Sequence, residues 1–450
     1  MAQIDIKKGH DIRIAGVPGT ELIRAPQPET VAVKPIEFKG CKPKLLVNTG
    51  DEVQIGSALF YNKQQPEVRW PAPAGGTIKY IQMGPRRTVE RIIIEVASGE
   101  KHVEHSTYKA AEIKTLDRQT IKETLLAGNL WPVLRQRPYN KVANPEDTPR
   151  DIFISGWNTA PCAVNLEIAL DGKQSPFQAG LDALSQLTDG KVHLSIKKGT
   201  ASEVLLNARS VELHYFSGPH PAGNVGIQIH HINPIKPHDI VWIIQAQQVV
   251  TIGQLFLTGQ LDPALVVTIG GPGVNNPVHL QTRLGINLGT LLKDHLKPGE
   301  NRIISGDVLT GKKVAPDGYL GFYDSTVSVL PEGGKREFMG MLRIGSSRTR
   351  YSLSNAFWGS RKTPYQFNTW QNGTERAMIP LNAWEDVLPM DILPNALFRA
   401  ILARDIEEME QLGIFECDEE DFALCSFACP SKIDLGAVIR QGLDLMEQET

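Results

Sequence analysis

The sequence predicts a multidomain protein of mixed α/β and α+β class. Three observations predict it. Short β patterns broken by glycine and proline fill residues 30 to 97, helical and strand-like periods alternate from 105 to 250, and the chain turns helical near its end. With 450 residues, 41% of them hydrophobic and 22% charged, it can bury about three or four cores. The net charge of -3 excludes a polyelectrolyte partner such as nucleic acid, because 47 Lys and Arg do not outnumber 50 Asp and Glu.

Five cysteines without disulfide-like spacing favour a reducing compartment. The opening MAQIDIKKGHDIRIAG lacks the apolar core of a signal peptide, so the chain is expected in the cytoplasm. The most apolar stretch, Asp239 to Thr258, is interrupted by Gln245, Gln247, Gln248 and Gln254, whereas a span needs ~20 mostly apolar residues. Membrane association is therefore expected to be peripheral, and the sequon at Asn372 to be an unmodified turn.

In chain order, GDEVQIGSALF (Gly50 to Phe60) and APAGGTI (Ala72 to Ile78) resemble the paired half-motifs of biotinyl and lipoyl carrier domains. That resemblance implies a barrel-sandwich over residues 1–104. Lys63, in the intervening NKQQPEV, lacks the flanking methionine of a modification motif, so the fold is read as scaffold. From 105 to 255 the pattern is α/β. Helical periods run Asp117 to Leu130 and Gln178 to Leu187, with strands at Asp151 to Gly156, Val192 to Lys198 and Asp239 to Gln245. A smaller α+β unit spans 256–330, an irregular β or loop region 331–385, and a helical domain 386–450.

In the helical domain, Pro394 is expected to open a helix running to about Leu412 and stopped by Gly413. Asp418, with Asp421 three positions on, is expected to cap the next helix, which Pro430 ends. On this reading the acidic run Glu416 to Asp421 is a helix start, not a metal site. The following CSFACP carries Cys425, Cys429 and Pro430, the closing half of a ferredoxin cluster motif. Phe422 and Glu419 stand where the two opening cysteines would be, and Cys417 is off register.

Six blocks carry a resemblance over nearly the whole chain: IKKGHDIRIAG, APAGGTI, SGPHPAG (Ser217 to Gly223), GQLFLTG (Gly253 to Gly259), RIISGDVLTG (Arg302 to Gly311) and ALCSFACPSK (Ala423 to Lys432). The chain resembles the NqrA family of the sodium-translocating NADH:quinone oxidoreductase (Na+-NQR), related to the RnfC component of Rnf complexes and to the flavin subunit of respiratory complex I. The resemblance implies a Rossmann-like 105–255 domain with a degenerate flavin site, an SLBB (ubiquitin-like β-grasp) domain at 256–330, and a degenerate iron–sulfur domain at the end.

It further implies a peripheral subunit on the cytoplasmic face of the bacterial inner membrane, docked on the membrane-embedded NqrB component, in a complex that couples NADH oxidation by ubiquinone to sodium export. The NAD, FAD, FMN, riboflavin and iron–sulfur sites are expected in partner subunits, with no tightly bound redox centre in this chain. The stretch AGNLWPVLRQRPYNK (Ala127 to Lys141) has no glycine after Gly128, where a phosphate loop would need close backbone approach. Trp131, Arg135, Arg137 and Tyr139 in that stretch are the expected quinone-proximal residues, with Val33 to Phe38 beside them, because a quinone head group needs apolar walls and a few donors. The competing reading is a loop packed on its own domain, its arginines solvated or paired with carboxylates. The alternative function is a flavin-binding NADH dehydrogenase module acting as an electron carrier.

Other motifs are discounted. GDVLTGK (Gly306 to Lys312) has P-loop spacing, but Lys313 replaces the magnesium-binding hydroxyl. TIGGPGV (Thr268 to Val274) lacks GxGxxG spacing. His214, His220, His230, His231 and His238 lack the helical or finger spacing of metal ligands, so no metal site is expected. Neither HExxH nor GxSxG occurs. Lys335 to Trp370, with Tyr351, Phe357, Trp358 and Tyr365, is the expected partner-contact region on composition.

Overall fold

The computed structural model describes residues 2–334, 351–353, 363–379 and 381–449. The central sheet has seven strands in the order Gln3–Asp5, Glu212–Ser217, Val192–Lys197, Asp151–Ser155, Val241–Gln245, Arg135–Arg137, Lys141–Val142. The first five run parallel and the last two antiparallel. The parallel strands read as continuous apolar runs because helices cover both faces, as in DIFIS, where Asp151 to Ile154 are all buried.

Two helices against this sheet, Gln174–Leu184 and Ala246–Thr258, cross at glycines. A Cβ on Gly253 would lie 1.7 Å from the Pro176 carbonyl oxygen, and one on Gly180 would lie 2.1 Å from that of Val249. The GQLFLTG block thus begins at a backbone contact and ends at Gly259, whose left-handed φ of 70° closes the helix.

Three further sheets accompany the central sheet. A four-stranded sheet (Thr30–Val33, Val89–Val96, Gly76–Met83, Glu52–Val53) and a three-stranded sheet (Pro43–Leu45, Ala58–Asn62, Gln65–Pro71) make up the N-terminal β part. Phe60 stacks on Trp70 at 4.6 Å in its core, and exposed Lys63 sits at the hairpin tip. A six-stranded sheet follows, in the order Lys312–Val314, Asn301–Ser305, Thr326–Pro331, Ala264–Gly270, Val278–Arg283, Leu22–Arg24. The first 24 residues therefore supply edge strands to two other sheets.

The C-terminal part corrects two expectations. Pro394 opens a helix, but it ends at Ala403, where Arg404 turns left-handed (φ 58°). A second helix, Ile406–Gln411, starts from Asp405, whose carboxylate accepts the Glu408 N–H at 3.0 Å. Asp418 and Asp421 do not cap the helix that carries the two cysteines. That helix is Ala423–Ala428, and both carboxylates are turned inward to a buried arginine.

The discounted motifs resolve into turns. GDVLTGK joins two antiparallel strands, and Asp307 accepts the N–H groups of Leu309 (2.7 Å) and Thr310 (3.2 Å), which a phosphate would otherwise need. TIGGPGV ends a strand at Gly271 (φ 108°), whose N–H bonds the Gly16 oxygen at 2.8 Å.

Candidate functional site

The central sheet changes direction of growth at Asp151–Ser155. Later strands Val192–Lys197 and Glu212–Ser217 build outward on one side of it, and Val241–Gln245 lies on the other. Open α/β sheets bind ligands at such a switch point, beyond the carboxyl ends of the strands. A cleft of about 130 Å³ opens there, lined by Arg135, Ser155, Trp157, Asn158, Val164, Leu166, Asn224, Ile243, Gln245 and Glu420 among others.

Many of its polar groups hold the cleft's own frame. Ser155 donates to the carbonyls of Trp157 (2.6 Å) and Gly223 (3.0 Å). Gln245 donates to Tyr323 O at 2.7 Å, Gln247 to Val266 O at 3.0 Å, and Asn224 to Glu420 O at 3.0 Å. Asn158 spends its carbonyl on the Ala160 N–H (2.9 Å), which leaves its amide N–H groups as donors. Arg135 lies with its guanidinium 4.7 Å from the Tyr323 ring centroid, and its buried Nε has no partner among the described residues. The cleft thus combines the Trp157 ring, the Val164, Leu166 and Ile243 side chains, and donors from Arg135 and Asn158.

The four expected residues separate. Arg135 reaches the cleft. Trp131 is 1% exposed, edge-on to Trp242 at 5.5 Å, with its indole N–H on Ala143 O at 2.7 Å. Tyr139 packs against Phe415 at 6.4 Å. Arg137 is fully buried and pairs with Asp418 (3.0 Å), Glu420 (2.6 Å) and Asp421 (3.4 Å). For Arg137 the carboxylate-paired reading describes its surroundings. Val33 to Phe38 lies behind Tyr323, where Phe38 meets Phe322 at 5.2 Å.

The acidic run is consequently a seam between the helical part and the central sheet. His230 bonds Glu416 at 2.7 Å, Asn140 donates to Asp418 at 2.5 Å, and Lys39 reaches Glu419 at 2.7 Å. Burial would raise the Asp418 carboxyl, but Arg137, Lys39 and Arg135 outweigh it and hold it below the usual range. Burial pushes Asp421 well above that range, because three carboxyls share one guanidinium. A Cβ on Gly226 would lie 2.0 Å from Asp421 Oδ2, so only glycine lets this carboxyl approach the start of helix Val225–Ile232.

The cysteines are buried or half-buried. Burial pushes the Cys41 and Cys162 thiols up to about 12, and Cys417 and Cys425 well above the ordinary value. Of the five crowded histidines, His220 bonds Thr159 (3.1 Å), His231 bonds Pro389 O (2.9 Å), and His214 faces His193 (2.9 Å). Tyr351 and Tyr365 of the expected partner-contact region pack with Phe367, and Tyr351 also with Phe427, whereas Phe357 and Trp358 lie outside the described residues.

Comparison with known proteins agrees along the chain. Family models match as the NqrA N-terminal barrel-sandwich hybrid domain (residues 4–97), the NqrA second alpha/beta domain (116–261) and the NQRA C-terminal domain (266–315). The NqrA protein of the Na(+)-translocating NADH-quinone reductase of Serratia proteamaculans (strain 568) is 41% identical over 450 residues, covering 99% of this chain and 100% of that one. The chain belongs to the NqrA family. The Vibrio anguillarum member is 40% identical over 449 residues with the same coverage. Among solved structures, an NAD+-reducing [NiFe]-hydrogenase in the H2-reduced state aligns over 49% of this chain and 48% of its own, at 12% identity and a TM-score of 0.36, too low to bear on the site. No described helix is long and apolar enough to cross a membrane, as the sequence predicts.

Within this NqrA chain, sequence reasoning about the site missed Ser155, Trp157, Asn158 and Asn224. Their signal is positional: SGWN lies at the carboxyl end of the strand Asp151–Ser155, and GN precedes the helix that follows the strand Glu212–Ser217 of the same sheet.

Proposed function

We propose that this chain is the peripheral component of a sodium-pumping NADH:quinone reductase that shapes the quinone site, docking from the cytoplasmic face on the membrane-embedded NqrB component. The full-length similarity to NqrA proteins supports its place in the complex. The switch-point cleft carries the quinone assignment. A quinone offers a flat ring for Trp157 and two carbonyl oxygens for N–H donors such as Arg135 and Asn158. The same cleft disfavours the flavin-module alternative, since no glycine-rich loop follows the Asp151–Ser155 strand to bring backbone N–H groups onto a flavin phosphate. On this reading NAD, the flavins and the iron–sulfur centre belong to partner subunits, and this chain supplies shape and donors without a tightly bound redox centre.

The test is Arg135→Gln with Trp157→Ala in the assembled complex. KM for ubiquinone should rise about tenfold or more, the loss of one charged hydrogen bond. NADH oxidation by an artificial acceptor should be unchanged. An unchanged KM for ubiquinone overturns the assignment. Flavin or iron in stoichiometric amount on the purified chain would restore the electron-carrier reading.

A further inference from the structure

At the opposite, amino-terminal end of the parallel strands, two histidines and a carboxylate meet on one face of the sheet. Glu212 and His214 are two apart on one strand, so both point to that face, and His193 pairs in register with Glu212 on the neighbouring strand. His193 Nδ1 and His214 Nε2 are 2.9 Å apart, and a Glu212 carboxylate oxygen completes a set within 4.8 Å. Both histidines are buried, at 5% and 3% exposure.

Behind His193 stands Asp151, with Oδ1 3.5 Å from His193 Nε2. Asp151 is itself held by the Lys191 N–H (3.0 Å), Asn233 (2.9 Å) and Arg150 (3.0 Å). A fixed carboxylate there favours the proton on Nε2, which leaves Nδ1 as a lone pair aimed at His214. Carboxylate–histidine–metal arrangements are built in this way. Phe153 stacks on the His193 ring at 4.7 Å and fixes its plane.

We propose that His193, His214 and Glu212 bind a divalent transition metal, with two imidazoles and one carboxylate suiting Zn2+, and that Asp151 orients His193. Metal–nitrogen bonds of about 2.0–2.1 Å in a tetrahedral set need the two nitrogens only slightly farther apart than they stand. Glu212 would turn toward the imidazoles from Lys191, 2.5 Å away and largely exposed, which is one of the charged groups that hold its carboxyl low. The spacing rules applied to the sequence miss this trio because its ligands are assembled across two strands, and His193 lies outside the crowded five.

The test uses the untagged full chain, stripped with a chelator and reloaded with Zn2+ or Co2+, followed by metal analysis and, for Co2+, visible absorption. Stoichiometric metal with tetrahedral Co2+ bands is expected. His214→Gln and Glu212→Gln should lose it, and Asp151→Asn should weaken affinity by about 10–100-fold. Wild type that binds no metal overturns the proposal, as does metal retained equally by Glu212→Gln and His214→Gln. Because Glu212 is half-buried, its variant keeps the test open if a histidine variant misfolds.

Discussion

Replacing Arg137 by alanine should destabilise the chain more than any other single charge deletion at the seam. The guanidinium is fully buried and lies 3.0 Å from Asp418 and 3.4 Å from Asp421, whose side chains are also inaccessible. Removing it leaves the desolvated Asp421 without its counter-charge and Asp418 with only the more distant Lys39 at 4.0 Å, which costs about 3–5 kcal/mol, or roughly two to four powers of ten in the folding equilibrium. Urea unfolding of the purified chain, followed by circular dichroism, measures the loss. The pH dependence supplies a second reading. Without Arg137 both folded carboxyls have pKa values above their unfolded ones, so the folded state binds more protons and the deficit shrinks as pH falls. A combined Arg137→Met, Asp418→Asn, Glu420→Gln, Asp421→Asn variant should recover most of the stability, since all three carboxylates that pair with the guanidinium are then neutral. A loss for Arg137→Ala below about 1 kcal/mol, or one that grows on acidification, refutes the reasoning.

Trp131→Ala should cost about 3–5 kcal/mol in the same assay and leave KM for ubiquinone unchanged, because the indole is core and not cleft. Gly253→Val should prevent soluble folding, since its side chain would overlap the Pro176 carbonyl, visible as loss of soluble expression. His10, His105, His220, His231 and His279 are each held below the ordinary value of 6.5 by burial. The unfolded chain therefore binds more protons below that value, and the melting temperature should fall between pH 7.5 and 5.5, less steeply in His220→Gln. Thiol titration of the native chain should be slow at Cys41 and Cys162, and fast in denaturant.

The central strands were legible because burial on both faces leaves an unbroken apolar run, as in Asp151–Ser155 and Val241–Gln245. Helix Arg118–Ala127 was legible from its period, although it stops three residues short of the expected Leu130; the structure adds that Asp117 caps it by accepting the Thr120 N–H at 2.8 Å. What local reading could not supply was competition from distant sequence. Asp421 is 284 positions from Arg137, and a buried guanidinium outbids a helix N-terminus for its carboxylate. The long helix expected from Pro394 splits because Asp405 offers a cap that starts a new one. Of the stretch expected near a quinone, Arg135 lines the switch-point cleft, but side-chain type alone did not separate it from Trp131, which the fold uses as core. The cleft residues came from strand ends far apart in sequence, and only sheet order brings Ser155 and Gln245 side by side.

The most direct test of the quinone assignment is photolabelling of the intact complex with an azido-ubiquinone, followed by peptide mapping of this chain. Label on residues 155–166 or 223–225, competed away by ubiquinone, is the predicted result. Label confined to other subunits, with this cleft unmodified, would contradict the account.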